Sequence, residues 1–329
     1  MAPTQQRVSY SKIRDFLQCR WMYRAKYVWG YRPIRAPRAP SLGAAAHCGV
    51  DAMLKGEDPA AAISDWLSQQ PQEAFEDADF VDYAELARDA LVLVESVAPP
   101  AMGNWRPMTD AEGRPLIEYK WEVPVPGLRS AVLVGVWDGL MTDAADGSAW
   151  LHEWKFEESL SDPDRWMYTE QLPIYQYAAN RLGFPVVGAV VNQVRAVLPR
   201  KPQLTKSGTM ARNKIICDWP TYLAALQEAG LDPADYDDMR VYYEEQAPPM
   251  KRAVPLYRPP NEIKRTMAES IWPAVYDLLG PKTRIYRTFG FLCPRCSYRE
   301  PCIESLKGGD VDFLWRERFT NTTDQKGGH

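Results

Sequence analysis

The sequence predicts an α/β protein in which helices flank a mixed central sheet, and three observations support this class. Apolar and polar residues alternate through much of 117–156, which is the period of strands. Apolar residues recur at helical spacings on both sides of that block. A short apolar run at 184–197 has the character of a buried strand that returns to the sheet. With 329 residues, 46% of them apolar, the chain can bury a large core.

The N-terminal third is predicted to be helical. Ser9 or Ser11 is suited to cap a first helix, in which aromatic and apolar residues alternate with basic ones. A connection rich in proline and arginine follows, and small residues before His47 open a second helix that could approach another element closely. Residues 58–97 are predicted to form acidic amphipathic helices that act as a scaffold.

The central block is predicted to be a meander of about three strands. The first covers residues 117–126, and the turn signal Asp146-Gly147 joins the next two as a hairpin. A loop centred on Ala145 and Asp146 would place Asp138 opposite Glu153. The period of two then puts Lys155 on the same face as Glu153.

The rest of the chain is predicted to be mainly helical. Asp162-Pro163 begins a helix in which Gln171 and Tyr175, four residues apart, face the same way, and Pro173 kinks or restarts it. A basic loop covers 198–216, an inserted helical pair covers 218–246, and one more long helix covers 258–279.

The polar residues of the central block suggest metal-assisted phosphodiester hydrolysis. Two carboxylates and an ammonium group on one sheet face would be unfavourable without a ligand, because the carboxylates repel each other and all three groups lose hydration. A divalent cation bound between the carboxylates would remove this repulsion. Lys155 would then orient the attacking water or stabilise negative charge. Two plainer alternatives remain open: a surface strand with a cross-strand ion pair, and a histidine at position 47 that is only structural.

The charge distribution suggests a nucleic-acid partner, although the net charge is only −4. Residues 12–38 carry eight basic side chains and one acid, and residues 195–214 carry six basic side chains and no acid. These runs would form a phosphate track or, alternatively, solvated faces. The candidate DNA contacts are Arg20, Arg24, Arg200, Lys201 and Lys206. With neither a signal peptide nor an apolar run that could span a bilayer, a cytoplasmic location is expected.

Four of the six cysteines suggest a metal or cluster site. Cys293, Cys296 and Cys302 are spaced C-x₂-C-x₅-C, and Cys19 is the best candidate for a fourth ligand, which would join the two ends of the chain. Zinc and a [4Fe–4S] cluster both accept four thiolates, and the distant fourth ligand favours the cluster. Free structural cysteines are the alternative, as expected for Cys48 and Cys217.

Taken in order, the motifs resemble one family, the PD-(D/E)XK nucleases of the RecB-like branch that carry an iron–sulfur cluster. That branch includes CRISPR adaptation nucleases, the AddB nuclease domain and phage exonucleases. The motifs are SYSKIRDFLQCRWMYRAKY with Cys19, LGAAAH with His47, GVWD with Asp138, EWK with Glu153 and Lys155, QLPIY with Gln171 and Tyr175, and CPRCSYREPC with Cys293, Cys296 and Cys302.

The resemblance implies specific roles for these residues. His47, Asp138, Glu153 and the backbone carbonyl of Trp154 would bind Mg²⁺ or Mn²⁺, and Lys155 would be the catalytic lysine. Gln171 and Tyr175 would also be catalytic residues, and the four cysteines would hold a [4Fe–4S] cluster, with Zn²⁺ as the alternative. The segment 205–239 is similar to one in phage RecB-like exonucleases, which implies a phage or prophage origin.

The resemblance also implies a restriction-endonuclease-like core in a single RecB-like nuclease domain, residues 1–317. Its parts would be an N-terminal helical region at 1–115, the catalytic sheet core at 116–200, a basic loop and helical insertion at 201–250, and a C-terminal helix and cluster loop at 251–307. Residues 318–329 are predicted to be a flexible tail.

The expected activity is metal-dependent exonuclease cleavage of DNA, on single strands or at ends. The chain contains no G-x-x-x-x-G-K-[ST] loop, so a helicase or recombinase partner would be a separate protein. Two alternatives are a structure-specific or nicking endonuclease of the same fold, and a non-catalytic module that binds DNA or senses redox state through the cluster.

Overall fold

A computed structural model describes residues 5–34, 38–70, 82–97 and 103–322 of the chain. The strands are β1 (Gln6–Ser9), β2 (Tyr31–Pro33), β3 (Trp105–Pro107), β4 (Ile117–Val125), β5 (Leu128–Asp143), β6 (Ala149–Glu157), β7 (Gly188–Arg195), β8 (Lys251–Tyr257) and β9 (Phe319–Asn321). The α-helices are α1 (Tyr10–Gln18), α2 (Arg20–Tyr23), α3 (Arg38–Lys55), α4 (Pro59–Ser68), α5 (Tyr83–Val97), α6 (Gln171–Arg181), α7 (Trp219–Glu228), α8 (Asp237–Val241), α9 (Pro260–Thr266), α10 (Trp272–Leu279), α11 (Arg299–Leu306) and α12 (Asp312–Arg318).

The strand β5 is the centre of a mixed sheet, as the sequence predicts. One edge of β5 pairs antiparallel with β4 and then with β3. The other edge pairs in parallel with β1 as far as Val134, and pairing resumes with β6 at Gly139. From β6 the sheet continues through the parallel strand β7 to the antiparallel strand β8. Residues 135–138 of β5 therefore lie at a fork between β1 and β6.

The predicted hairpin is confirmed in its register. Thr142 pairs with Ala149 and Gly139 pairs with His152, so the turn is centred between Ala145 and Asp146. Continuing this register by one step places Asp138 opposite Glu153, as the alternation of the two strands predicts.

Helical layers cover both faces of the sheet. On one face, α3, α4 and α5 bury apolar side chains against Trp154 and Val194. On the other, α6 and the helices from Pro260 to Leu279 pack around Trp137 and Leu151. Successive residues of a strand point to opposite faces, so β6 supplies side chains to both layers.

The ends of several helices follow the predicted signals. The side chain of Ser9 accepts a hydrogen bond from the backbone N–H of Lys12 and caps α1. Asp162 caps a short 3₁₀ helix, Pro163–Tyr168, and α6 starts afresh at Gln171. Pro173 therefore lies in the first turn of α6, where its missing N–H costs little.

The predicted insertion has an apolar cluster of its own. Tyr222 of α7 lies at its centre, with Tyr236, Met239 and Tyr243 around it. The preceding basic loop joins it, because the hydroxyl of Tyr222 donates to the backbone oxygen of Ala211.

Two features differ from the predicted boundaries. The sheet draws on β1, β3 and β8, which lie outside residues 116–200, because their pairing partners are distant in sequence. The predicted tail begins with β9, which pairs antiparallel with β2; residues 323–329 lie outside the described residues. None of the helices in the described ranges is both long and apolar enough to cross a membrane.

Candidate active site

The fork in the sheet positions Asp138. The backbone N–H of Trp154 donates to Asp138 Oδ2 at 2.8 Å, which fixes the carboxylate beside β6. Asp138 is buried, with 8% of its surface exposed. The close packing of Trp121 requires a glycine at Gly135, since a Cβ there would lie 2.3 Å from the indole ring. The carboxylate therefore lies at the fork, where β5 is paired with neither β1 nor β6.

His47 reaches the fork from α3. A Cβ at Gly43 would lie only 3.1 Å from the Cβ of Phe156, so the small residues do allow α3 to approach β6 closely. The Nε2 atom of His47 lies 3.1 Å from Asp138 Oδ2, and its Nδ1 atom lies 3.3 Å from Asp51 Oδ2. Burial lowers the pKa of His47, but hydrogen bonds with Asp138 and Asp51 outweigh it and raise the pKa to about 11.

Glu153 and Lys155 lie side by side on β6, on the face predicted for them. Lys155 Nζ lies 2.5 Å from Glu153 Oε1, and Gln171 Nε2 donates to the same oxygen at 2.6 Å. Burial, followed by the charge of Asp138, raises the pKa of Glu153. Burial lowers the pKa of Lys155, but the charges of Glu153 and Asp138 outweigh it and the pKa is raised overall. Lys155 is therefore a charged ammonium group in this setting.

Tyr175 completes the cluster from α6. Its ring packs edge-on against Trp121, with centroids 5.6 Å apart. Burial and then the charges of Glu153 and Asp138 raise the pKa of its hydroxyl, so the phenol stays protonated. The predicted pairing of Gln171 with Tyr175 on one helix face brings both side chains to Glu153.

Two further carboxylates belong to the site, although the sequence analysis does not identify them. Asp51 and Glu118 form a group with His47 in which one ligand atom of each lies within 4.8 Å of the others. Asp51 is four residues after His47 on α3, a spacing that marks it as a neighbour. Burial, followed by the charge of Asp51, raises the pKa of Glu118 to about 7.

Glu118 reaches the site through an irregularity in β4. The pairs on either side of it, Ile117 with Gly139 and Tyr119 with Trp137, place it beside Asp138. Its φ of 50° is the positive-φ backbone that non-glycine residues rarely adopt. Simple strand alternation cannot predict such a residue.

The donor atoms of this site suit a hard divalent cation. Carboxylate oxygens suit Mg²⁺ and Mn²⁺, and the imidazole of His47 adds a nitrogen donor of the kind that transition-metal ions accept. Glu153 Oε2 and Asp51 Oδ1 are buried and have no hydrogen-bond partner among the described residues. Such atoms are costly to bury unless a ligand satisfies them. Trp154 lies at the site through its N–H, and the role of its carbonyl stays a prediction.

The four predicted cluster cysteines line one cavity of about 450 Å³, although Cys19 is far in sequence from the other three. All four are partly exposed. Burial raises the pKa of the Cys296 thiol, and the neighbouring charges of Cys19, Cys302 and Cys293 add to the effect. Cys19 therefore lines the same cavity as the three C-terminal cysteines, and their joint binding of a cluster stays a prediction.

Aromatic residues hold this cysteine lobe together. The lobe consists of α2, β2, β9 and the residues that follow 281. Trp315 stacks on Tyr31 with ring centroids 4.2 Å apart, and it also contacts Trp21 and Phe319. The two ends of the chain are therefore joined by apolar packing as well as by the β2–β9 pair.

The remaining cysteines lie elsewhere. The thiol of Cys217 is buried in the insertion, and burial raises its pKa to about 11. The thiol of Cys48 is partly buried and donates to the backbone oxygen of Ala62. Both placements agree with the predicted structural thiols.

The five predicted DNA contacts lie in different settings. Arg20 forms an ion pair with Asp277 and has a side chain only 16% exposed, so its charge is already engaged. Arg24 is exposed and lies over the ring of Trp29. Lys201 pairs with Glu228. The other two, Arg200 and Lys206, are exposed on the basic loop. Their contact with DNA stays a prediction.

Comparison with known proteins identifies the family. The model of the PD-(D/E)XK nuclease superfamily matches residues 7–303, and the chain belongs to this superfamily. Its α/β fold, with helices on both faces of a mixed sheet, is consistent with the restriction-endonuclease-like core of that family. The sequence matches none of the curated proteins.

One solved structure similar to this chain comes from Eubacterium rectale and carries the name "Putative exonuclease". The two chains are 12% identical, with a TM-score of 0.38, and the match covers 78% of this chain and 85% of the other.

Proposed function

We propose that this protein is a metal-dependent DNA exonuclease of the RecB-like iron–sulfur branch. Membership of a nuclease superfamily implies a DNA substrate and hydrolysis of phosphodiester bonds. The observation that carries the finer proposal is the convergence of His47, Asp138, Glu153 and Lys155 on the fork of the sheet. These are the residues that resemblance to the branch assigns to catalysis.

In this proposal His47, after losing its Nε2 proton, would bind Mg²⁺ or Mn²⁺ together with Asp138, Glu153 and the Trp154 carbonyl. A bound ion of this kind lowers the pKa of a water molecule and stabilises negative charge on the phosphate. Asp51 acts behind His47, since a carboxylate hydrogen-bonded to Nδ1 fixes the ring and keeps Nε2 directed at Asp138. Glu118 adds negative charge to the same pocket.

The other side chains act on the substrate. Lys155 directs its charged ammonium group at the attacking water or the phosphate oxygens, and its contact with Glu153 holds it in place. Gln171 orients Glu153 through the hydrogen bond to Oε1. The neutral phenol of Tyr175 can donate a hydrogen bond to a phosphate oxygen without adding charge.

The four cysteines are proposed to hold a [4Fe–4S] cluster. Zinc bound at about 2.3 Å would bring four thiolates to roughly 3.8 Å from one another. Within the described residues, no three of the cysteine sulfur atoms all lie within 4.8 Å of one another. The distant Cys19, which lines the same cavity as the other three cysteines, favours the cluster, and Zn²⁺ remains the alternative that metal analysis would detect.

The biological setting is also a proposal. The similarity of residues 205–239 to phage exonucleases supports a phage or prophage origin, and a separate helicase or recombinase would supply unwound DNA. These points rest on the resemblance alone.

Digestion of matched substrates tests the proposed activity. We expect the purified protein, with Mg²⁺ or Mn²⁺, to release nucleotides from linear DNA labelled at the 5′ or the 3′ end and to leave covalently closed circles intact. Cleavage of circles would instead support the structure-specific or nicking endonuclease. No cleavage of any DNA with either metal would support the non-catalytic module.

A further inference from the structure

An exposed segment beside the cysteine cavity has the composition of a nucleic-acid contact. Residues 282–299, here called the basic–aromatic segment, contain five basic residues and no acid. Four of the five are exposed, namely Lys282, Arg284, Arg295 and Arg299. The segment connects α10 to α11, and it contains Cys293 and Cys296.

Three aromatic rings of this segment are largely exposed, and two of them, Phe289 and Phe291, also line the cysteine cavity. The exposed fractions are 53% for Tyr286, 70% for Phe289 and 88% for Phe291. A solitary exposed ring is ordinary, but three within six residues form an apolar patch of the kind that marks a binding surface. Their interleaving with cations distinguishes this patch from a purely apolar docking surface.

The segment is anchored to the body of the protein. The backbone N–H of Trp21 donates to the carbonyl of Tyr286 at 3.0 Å. The guanidinium of Arg20 lies over the Tyr286 ring, and that of Arg287 lies over the Trp21 ring, at 4.8 and 5.0 Å from the centroids. The segment is therefore anchored at Tyr286 and Arg287, close in sequence to Phe289 and Phe291.

The helix α1 connects this surface to the active site. Tyr10, at its first residue, is close enough to act electrostatically on Lys155 and Tyr175. Arg20, the first residue of α2 and two residues after the end of α1, contacts Tyr286. The nine residues of α1 span about 13 Å at 1.5 Å per residue.

We infer that the basic–aromatic segment binds the single-stranded part of the DNA whose end enters the active site. Unpaired bases expose faces that can stack on Phe289 and Phe291, whereas the bases of a duplex are stacked on one another. The exposed cations pair with the phosphates between those bases. This inference rests on the proposed function, and it identifies a single strand as the bound form.

Binding without cleavage separates this inference from the nuclease proposal. The full-length Glu153→Gln protein is titrated, without divalent metal, into a fluorescently labelled oligothymidine and into a blunt duplex of equal length. We expect Phe289→Ala/Phe291→Ala to weaken binding of the single strand by about tenfold or more, because each stacked base is lost. Duplex binding should change much less.

Two control variants sharpen the result. Phe313→Ala removes an equally large ring, 60% exposed, from α12 in the same lobe and should leave binding unchanged. Lys282→Ala/Arg284→Ala should reduce the dependence of log K on log salt by roughly 1.4 for two lost phosphate contacts. Unfolding midpoints and visible absorbance of all variants are compared, so that damage to the lobe is recognised.

Several outcomes would overturn the inference. One is wild-type affinity for the single strand in Phe289→Ala/Phe291→Ala, and another is an equal loss for single strand and duplex. Undetectable binding of the single strand by the parent protein would also overturn it. Conversely, ring-dependent binding in a protein that cleaves no DNA would support this inference and reject only the exonuclease.

Discussion

The active site and the cysteine lobe are both assembled from distant parts of the chain, but by different forces. At the active site, backbone pairing of β4, β5 and β6 fixes Asp138 and Glu153, and hydrogen bonds from Trp154 and Gln171 orient their carboxylates. In the lobe, stacked rings around Trp315 join the two ends, and the cysteines line a cavity. Strand pairing therefore positions the residues proposed for catalysis, whereas aromatic side-chain packing positions the cysteines proposed to join the two ends of the chain.

The largest effect is expected from Lys155→Ala. It removes the charged group beside Glu153 without altering the strand pairing, and loss of one such electrostatic contact commonly costs about 10² to 10³ in rate. Release of labelled nucleotides from linear DNA measures it.

Glu122→Ala is the matched control for Lys155→Ala. Glu122 lies on β4 and forms an exposed ion pair with Arg7 of β1. Exposed pairs of this kind contribute little to stability, so this variant should keep full activity. Full activity in Lys155→Ala would reject the assigned role of the lysine.

A smaller effect on activity is expected from Cys19→Ser. We expect this variant to lose the broad visible absorbance of an anaerobically purified cluster, a band that dithionite should bleach in the wild type. Its cleavage rate should fall less than that of Lys155→Ala, because Trp315 and Tyr31 still join the ends of the chain.

Cys217→Ser is the control for Cys19→Ser, since Cys217 lies in the insertion, and it should keep the absorbance. A colourless wild-type protein with stoichiometric zinc would contradict the cluster. Activity in Cys19→Ser as low as in Lys155→Ala would show that packing alone does not secure the active site.

The contrast between the two regions also explains what sequence reasoning could predict. The hairpin register followed from the Asp146-Gly147 turn and strand alternation, so Asp138, Glu153 and Lys155 could be placed. Gln171 followed from helical spacing. These are local patterns, whose geometry the chain itself dictates.

The missed features depend on irregular or long-range geometry. Glu118 is directed into the site by a backbone with positive φ, and a pattern of apolar and polar residues cannot predict such a backbone conformation. The pairing of β2 with β9 joins residues almost 300 positions apart, and neither short strand has a distinctive pattern. Asp51 is different. Its four-residue spacing from His47 can be read from the sequence, but that spacing does not show that Asp51 belongs to the site.

An intermediate effect on metal binding is expected at Asp51. Asp51→Asn keeps an acceptor for the His47 Nδ1 proton but removes the charge, and Asp51→Ala removes both. Affinity for Mn²⁺ should therefore fall in the order wild type, Asn, Ala, with a total loss of about 10- to 100-fold. Calorimetric titration measures it, with exposed Asp65→Asn on α4 as the control. Unchanged affinity in Asp51→Ala would remove this residue from the site.

The smallest effect is expected from Gly135→Ala. The added methyl group collides with Trp121, which must move and disturb Tyr175. Overpacking of this kind costs about 1–3 kcal/mol. Urea unfolding should detect the loss, and Gly147→Ala in the exposed turn is a comparison that adds strain without a collision. Equal stability of Gly135→Ala and wild type would show that Trp121 can move to accommodate a methyl group at this position without loss of stability.

Mn²⁺ titration of three isosteric variants tests the ligand set most directly. His47 contacts Asp138 through one nitrogen and lies near Asp51 and Glu118 through the other, so two groups of carboxylates are candidates to bind the proposed ion. We predict that Asp138→Asn and Glu153→Gln lose Mn²⁺ binding and DNA cleavage together, while Glu118→Gln keeps measurable binding. Wild-type Mn²⁺ affinity in Asp138→Asn, with loss of binding in Glu118→Gln, would contradict the proposed metal site.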